Sequence, residues 1–135
     1  MAQLALPRAS VYYKMNQIVA NQIKKAYDES PCSWSLEECL GVFEYYFRKY
    51  REIMYPFSHP HMSTRAIHRI ISRLDSVEDA FGREYYLEPG DYPEIIDAYF
   101  AEDFQDTYRG CDCSMAHFMS GDIRLNRCFD LGTVL

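Results

Sequence analysis

The chain has 135 residues, 48% of them hydrophobic and 25% charged, with a net charge of −6. That is enough for one domain with its own core and is ordinary for a globular protein. No stretch approaches eighteen apolar residues, which excludes a transmembrane helix, and the acidic balance argues against generic binding to nucleic acid or to an anionic membrane.

The N-terminal MAQLALPRAS lacks the charged start and apolar run of a signal peptide. Residues 1–9 read as a flexible tail and the rest as a single helical domain within 1–135. The first helix is expected from Ser10 to Asp28, with Val11, Tyr12, Met15, Ile18, Val19, Ile23, Ala26 and Tyr27 on one face and Glu29-Ser30-Pro31 as the stop. Ser35 and Glu38 form an S-x-x-E capping box that opens a second helix. Its stripe runs through Leu36, Cys39, Leu40, Phe43, Tyr46, Phe47, Tyr50 and Ile53; Tyr45 falls off it and is expected to be exposed.

Pro56 and the His59-Pro60-His61 turn end that element. Ser63 or Thr64 starts a third helix with Ile67, Ile70, Ile71 and Leu74 inward. A looser stretch from Asp75 to Gly90 follows, in which Val77–Phe81 reads as a short helical turn. Asp91 caps a fourth helix, with Pro93 in its first turn and Ile95, Ile96, Tyr99, Phe100 and Phe104 buried. A fifth begins near Asp112 with Met115, Phe118 and Met119; Gly121 breaks it, and Ser120 recaps a last helix through Ile123, Leu125 and Phe129. No convincing strand alternation is present. The expected fold is all-α, a compact bundle of about five to six helices with short loops.

Charge is distributed unevenly along these elements. Between Glu78 and Asp112 eleven carboxylates face only Arg83 and Arg109, a net of −9, whereas Glu44–Val77 carries +3. The acids are interleaved with Tyr85, Tyr86, Tyr92, Tyr99 and Tyr108, in a chain holding twelve Tyr and eight Phe. Tyrosine suits positions apolar on one side and wet on the other, so this surplus fits interfaces as well as small cores. The acids lack the D-x-[DN]-x-[DN]-G pattern of a calcium loop. They therefore read either as a solvated face or as a surface for a basic partner.

Against them stand Arg65, Arg69 and Arg73, at i, i+4 and i+8 on the third helix and about 6 Å apart along its axis. That spacing suits successive phosphates. The same arginines are equally suited to pair with the acidic helix of their own chain.

Cys111, Cys113, His117 and Cys128 offer the ligand types of structural zinc, but C-x-C-x3-H-x10-C departs from the usual C-x2-C loop. The simpler expectation for these and for Cys32 and Cys39 is free thiols in a reduced, cytoplasmic protein, with no cofactor. His59, His61 and His68 have no nucleophile or orienting carboxylate beside them, which favours a turn-forming role over catalysis. Neither G-x-S-x-G, H-E-x-x-H nor a phosphate-cradling glycine loop occurs, so no enzyme is expected.

Three stretches, EYYFRKY at Glu44–Tyr50 before a His-Pro turn, DYPEIIDAYF at Asp91–Phe100 and CDCSMAHFMSGDIR at Cys111–Arg124, together resemble small uncharacterised proteins carried by prophages and conjugative elements of gut Firmicutes. The resemblance implies a mobile-element context, in which anti-CRISPR and anti-restriction inhibitors are typical.

The expectation that follows is a non-enzymatic protein docking Glu84, Tyr85, Glu88, Asp91, Glu94, Asp97, Glu102 and Asp103 onto a basic, nucleic-acid-handling protein. A nucleic-acid-binding regulator built on Arg65, Arg69 and Arg73 is the first alternative, and a small zinc protein the second. Homodimerisation is compatible with each.

Overall fold

A computed structural model describes residues 15–54, 60, 62–103, 115–119 and 121–130. Six α-helical segments lie among these residues: α1 Gln17–Glu29, α2 Leu36–Met54, α3 Thr64–Ile71, α4 Tyr92–Ala98, α5 Met115–Met119 and α6 Gly121–Asp130. α4 continues into a π-helical turn, Tyr99–Asp103. Between α3 and α4 lie two short antiparallel strands, β1 Ser76–Glu78 and β2 Glu84–Tyr86, and a 3-10 turn, Pro89–Asp91. The fold is the expected helical bundle with one small hairpin added. No described helix is long and apolar enough to cross a membrane.

Helix starts follow capping chemistry. Ser35 and Glu38 form the anticipated box, the Ser35 amide donating to Glu38 Oε1 at 2.9 Å and the Glu38 amide to Ser35 Oγ at 3.2 Å. Ser63 caps α3 by accepting from the Ala66 amide. α1 departs from expectation. It opens at Asn16, whose Oδ1 accepts from the Ile18 amide; Ser10 lies outside the described residues. From that start the inward positions are Met15, Val19, Ile23 and Ala26, which leaves Ile18 70% exposed rather than buried.

α1 packs on α3, α2 on α4, and α5 and α6 adjoin, α5 meeting α3 and α6 meeting α4. The aromatic surplus fills the space between them. Tyr46 sits 5.0 Å from Phe100 and 5.5 Å from Phe118, centroid to centroid; Tyr99 is 5.2 Å from Phe118, and Trp34 meets Tyr92 edge-on at 5.5 Å. Each fully buried ring of this kind contributes about 2–3 kcal/mol through lost apolar surface. Such pairs add roughly 0.5–1.5 kcal/mol when ring edges meet faces.

Three expectations about buried and exposed side chains are corrected. Tyr92 belongs to the core and not to a surface interleaved with acids, because it shares the helical period of 95, 96 and 99, the last of which is buried as its place on the inner stripe predicts. Tyr45, expected to be exposed, is buried: its hydroxyl donates to Asp97 Oδ1 at 2.8 Å, which satisfies the one polar group that burial would orphan. Ile53, expected inward, is exposed at the end of α2.

The elbow between α1 and α2 ties the bundle to the hairpin. Ser33 donates to Asp75 Oδ2 from its amide at 2.9 Å and its hydroxyl at 2.6 Å, and Trp34 Nε1 donates to the Leu87 carbonyl at 3.1 Å. Asp75 and Leu87 flank the two strands, and the Leu87 amide closes the base on the Asp75 carbonyl at 3.0 Å.

At the opposite side of the hairpin base, the buried Arg124 guanidinium on α6 donates through Nη1 to the Arg73 carbonyl (2.6 Å) and to Tyr92 Oη (2.8 Å). Tyr92 in turn donates to the Leu74 carbonyl at 2.6 Å. A cation thus meets the free carbonyls just past α3, where the helix dipole favours positive charge.

Candidate functional site

The stretch expected as loop and helical turn around Val77–Phe81 is instead a hairpin, and Asp79 builds it. Its Oδ1 accepts from the amides of Phe81 (2.8 Å) and Arg83 (3.0 Å), and its Oδ2 from Arg83 Nε (2.7 Å) and Tyr85 Oη (3.1 Å). Asx turns of this kind substitute a side chain for a missing ladder partner. Gly82 follows at φ +80°, a backbone region closed to most side chains. Burial pushes the Asp79 carboxyl up, but the hydrogen bonds from Arg83, Phe81 and Tyr85 outweigh it and hold the group down at about 2.

Strand pairing sets the faces. Val77 pairs with Tyr85 and turns inward; Ser76 pairs with Tyr86 and Glu78 with Glu84 on the outer face. At the tip Phe81 is 83% exposed beneath the Arg83 guanidinium, 5.3 Å from the ring centroid; Tyr86, at the base end of β2, is 79% exposed. Glu78 and Glu84 lie beside these rings without an ion-pair partner among the described residues.

The other predicted acids divide. Glu88 and Glu94 are exposed. Asp91 occupies the N-cap position of α4, but its carboxylate accepts from the Glu88 amide at 2.8 Å, capping the 3-10 turn instead. Asp97 is taken up by Tyr45 and by Lys49, whose Nζ lies 3.3 Å away. Tyr85 is half-buried, so it supports the tip from beneath and is not part of an outer surface. Glu102 and Asp103 belong to the π-helical turn, their side chains outside the described set.

Arg65, Arg69 and Arg73 are all exposed, and none is ion-paired among the described residues. Among the described residues, therefore, the stripe does not neutralise the acidic block. Arg69 and Arg73 flank a depression of about 100 Å³ between α3 and α5, lined also by Ala66, Ile70, Ala116 and Met119. His68 turns away from the stripe and meets Glu29 Oε1 at 3.0 Å. His59 and His61 lie outside the described residues, as do Cys111, Cys113 and Tyr108.

Two members of the Cys/His set are described. His117 Nδ1 shares a hydrogen bond of 2.7 Å with Tyr99 Oη, and the Cys128 thiol is buried, pushed up to about 11 by that burial. Among the described residues no three His, Cys, Asp or Glu side chains converge as metal ligands.

Sequence reasoning missed Asp79, Phe81 and Arg124. Asp79 three residues before Gly82 is a turn signal of ordinary kind, but Phe81 and Arg124 carry no sequence mark that separates a displayed ring or a buried cation from their opposites. Comparison with protein-family models, with curated proteins and with solved structures returns no match.

Proposed function

We propose that this is a non-enzymatic interaction protein whose β1–β2 hairpin, with Glu88 and Glu94 beside it, docks onto a basic partner. The observation carrying the reading is the hairpin itself: two large aromatic rings, Phe81 on the turn and Tyr86 on β2, stand exposed near the unpaired Glu78 and Glu84, and the turn is fixed by four hydrogen bonds. Ordering such a tip before binding lowers the entropy lost on association. Aromatic anchors ringed by charge are the usual composition of a binding hot spot. The carboxylates would occupy Lys or Arg sites that otherwise hold phosphates, which fits an inhibitor of a nucleic-acid-handling protein and the mobile-element context of the sequence resemblance.

The test compares proteins retained from a host lysate by the wild-type chain and by Phe81→Ala and Glu84→Lys variants, followed by titration of the purified partner. Loss of the same partner from both variants, with affinity falling steeply as salt rises, supports the reading. Retention that ignores both substitutions and salt removes it.

A second reading is favoured by the unpaired Arg65, Arg69 and Arg73: direct contact with a nucleic-acid backbone along α3, which carries Arg65 and Arg69, and the turn after it, which carries Arg73. Fluorescence anisotropy with mixed DNA and RNA checks it. Binding at moderate salt abolished by Arg69→Glu supports it, and no binding at that salt rejects it.

A further inference from the structure

The sulfur atoms of Cys32 and Cys39 lie 3.5 Å apart, one thiol hydrogen-bonded to the other. Cys32 is half-buried in the α1–α2 elbow, and Cys39 is fully buried in the first turns of α2. A disulfide needs a sulfur separation of about 2.05 Å, and Cα atoms within roughly 7 Å. Bringing the sulfurs together is therefore a matter of an ångström or so, taken up by the elbow.

We propose that this pair is a reversible oxidation site, converted to an intramolecular disulfide by hydroperoxides. The Cys32 thiolate, the accessible partner, attacks the hydroperoxide; the O–O bond breaks, leaving a sulfenic acid on Cys32 and releasing an alcohol, or water from hydrogen peroxide. The Cys39 sulfur then displaces the sulfenic oxygen, which leaves as water with the Cys39 proton while the S–S bond forms. Two thiols and one hydroperoxide give one disulfide, one alcohol and one water. Burial and the Cys32 contact push the Cys39 thiol up, which assigns it the resolving role and Cys32 the attacking one.

The closed loop contains Ser33 and Trp34, the residues that hold both ends of the hairpin. Oxidation thus stiffens the element that positions Phe81 and Tyr86.

Residues 26–48 form one tryptic peptide carrying both cysteines and no other. The folded full chain is exposed to hydrogen peroxide, alkylated in denaturant with iodoacetamide and digested. The expected peptide is unalkylated and about 2 Da lighter than its reduced form, and dithiothreitol restores both alkylation sites. The oxidised protein is expected to melt roughly 5–10 °C higher, since the crosslink restricts the unfolded chain. Cys39→Ser is expected to strand Cys32 as a sulfenic acid trapped by dimedone, and Cys32→Ser to leave Cys39 open to alkylation. Wild-type peptide alkylated at both positions after oxidation overturns the proposal. So does Cys32 driven singly to sulfinic acid while Cys39 still alkylates.

Discussion

Glu78 and Glu84 stand directly opposite each other across the two strands, both exposed and neither ion-paired among the described residues. Like charges at that position weaken a hairpin. Glu84→Lys replaces the repulsion with an attractive cross-strand pair and is expected to raise the melting midpoint by roughly 2 °C. The same substitution is expected to weaken binding of the proposed basic partner on the order of tenfold or more. Calorimetry of unfolding and of binding on one sample checks both. A stabilised variant that binds normally takes Glu84 out of the interface.

The Arg124–Tyr92 contact gives a second expectation. Arg124→Ala leaves the Arg73 carbonyl and Tyr92 Oη without their donor and is expected to cost about 2–4 kcal/mol. Tyr92→Phe is expected to cost about 1–2 kcal/mol. Because the groups share one network, the two losses should fall short of adding, with a coupling of about 1 kcal/mol in a double-mutant cycle from urea unfolding. Arg124→Lys should not rescue, since one ammonium does not reproduce the flat, forked guanidinium.

These two contacts also mark how far the residues alone carried the fold. The Ser35–Glu38 capping box and the inward stripes of α3 and, Ile53 apart, of α2 follow from local spacing. Tyr45 does not: its burial depends on Asp97, 52 residues away, supplying an acceptor. The hairpin escaped because three-residue strands are too short to show alternation and are held by tertiary anchors. The acidic block was legible as charge, but not as geometry. Asp97 and Asp91 are used internally, and the displayed rings are Phe81 and Tyr86, while Tyr92 and Tyr99 are buried.

Tyr45→Phe tests the internal use of Asp97. Removing the hydroxyl costs one charge-assisted hydrogen bond and is expected to lower stability by about 1–2 kcal/mol while leaving partner binding unchanged. Denaturant titration and a binding isotherm check it. A loss of binding without a loss of stability would place Asp97 in the interface after all.

Asp79 sets a pH window. Its folded carboxyl is held at about 2 against an ordinary 3.8. The stabilisation it gives the turn is thus complete above about 3.8 and lost as pH falls towards 2. Amide exchange followed by NMR should show the Phe81 and Arg83 amides losing protection across that interval. Asp79→Asn should abolish the pH step, with exchange at those amides faster on the order of tenfold already at pH 5. Unchanged protection in the variant would mean that the tip is held by something other than this carboxylate.

The clamp on the hairpin base has a consequence for the order of assembly. Ser33 reaches Asp75 across 42 residues and Trp34 reaches Leu87 across 53. Strands of three residues do not persist alone in water, so the hairpin takes shape only once the α1–α2 elbow has closed on it. Closures over such separations come late and open early. The two aromatic rings offered to solvent are therefore expected to be presented only after that closure, and to lose their fixed placement whenever the elbow opens.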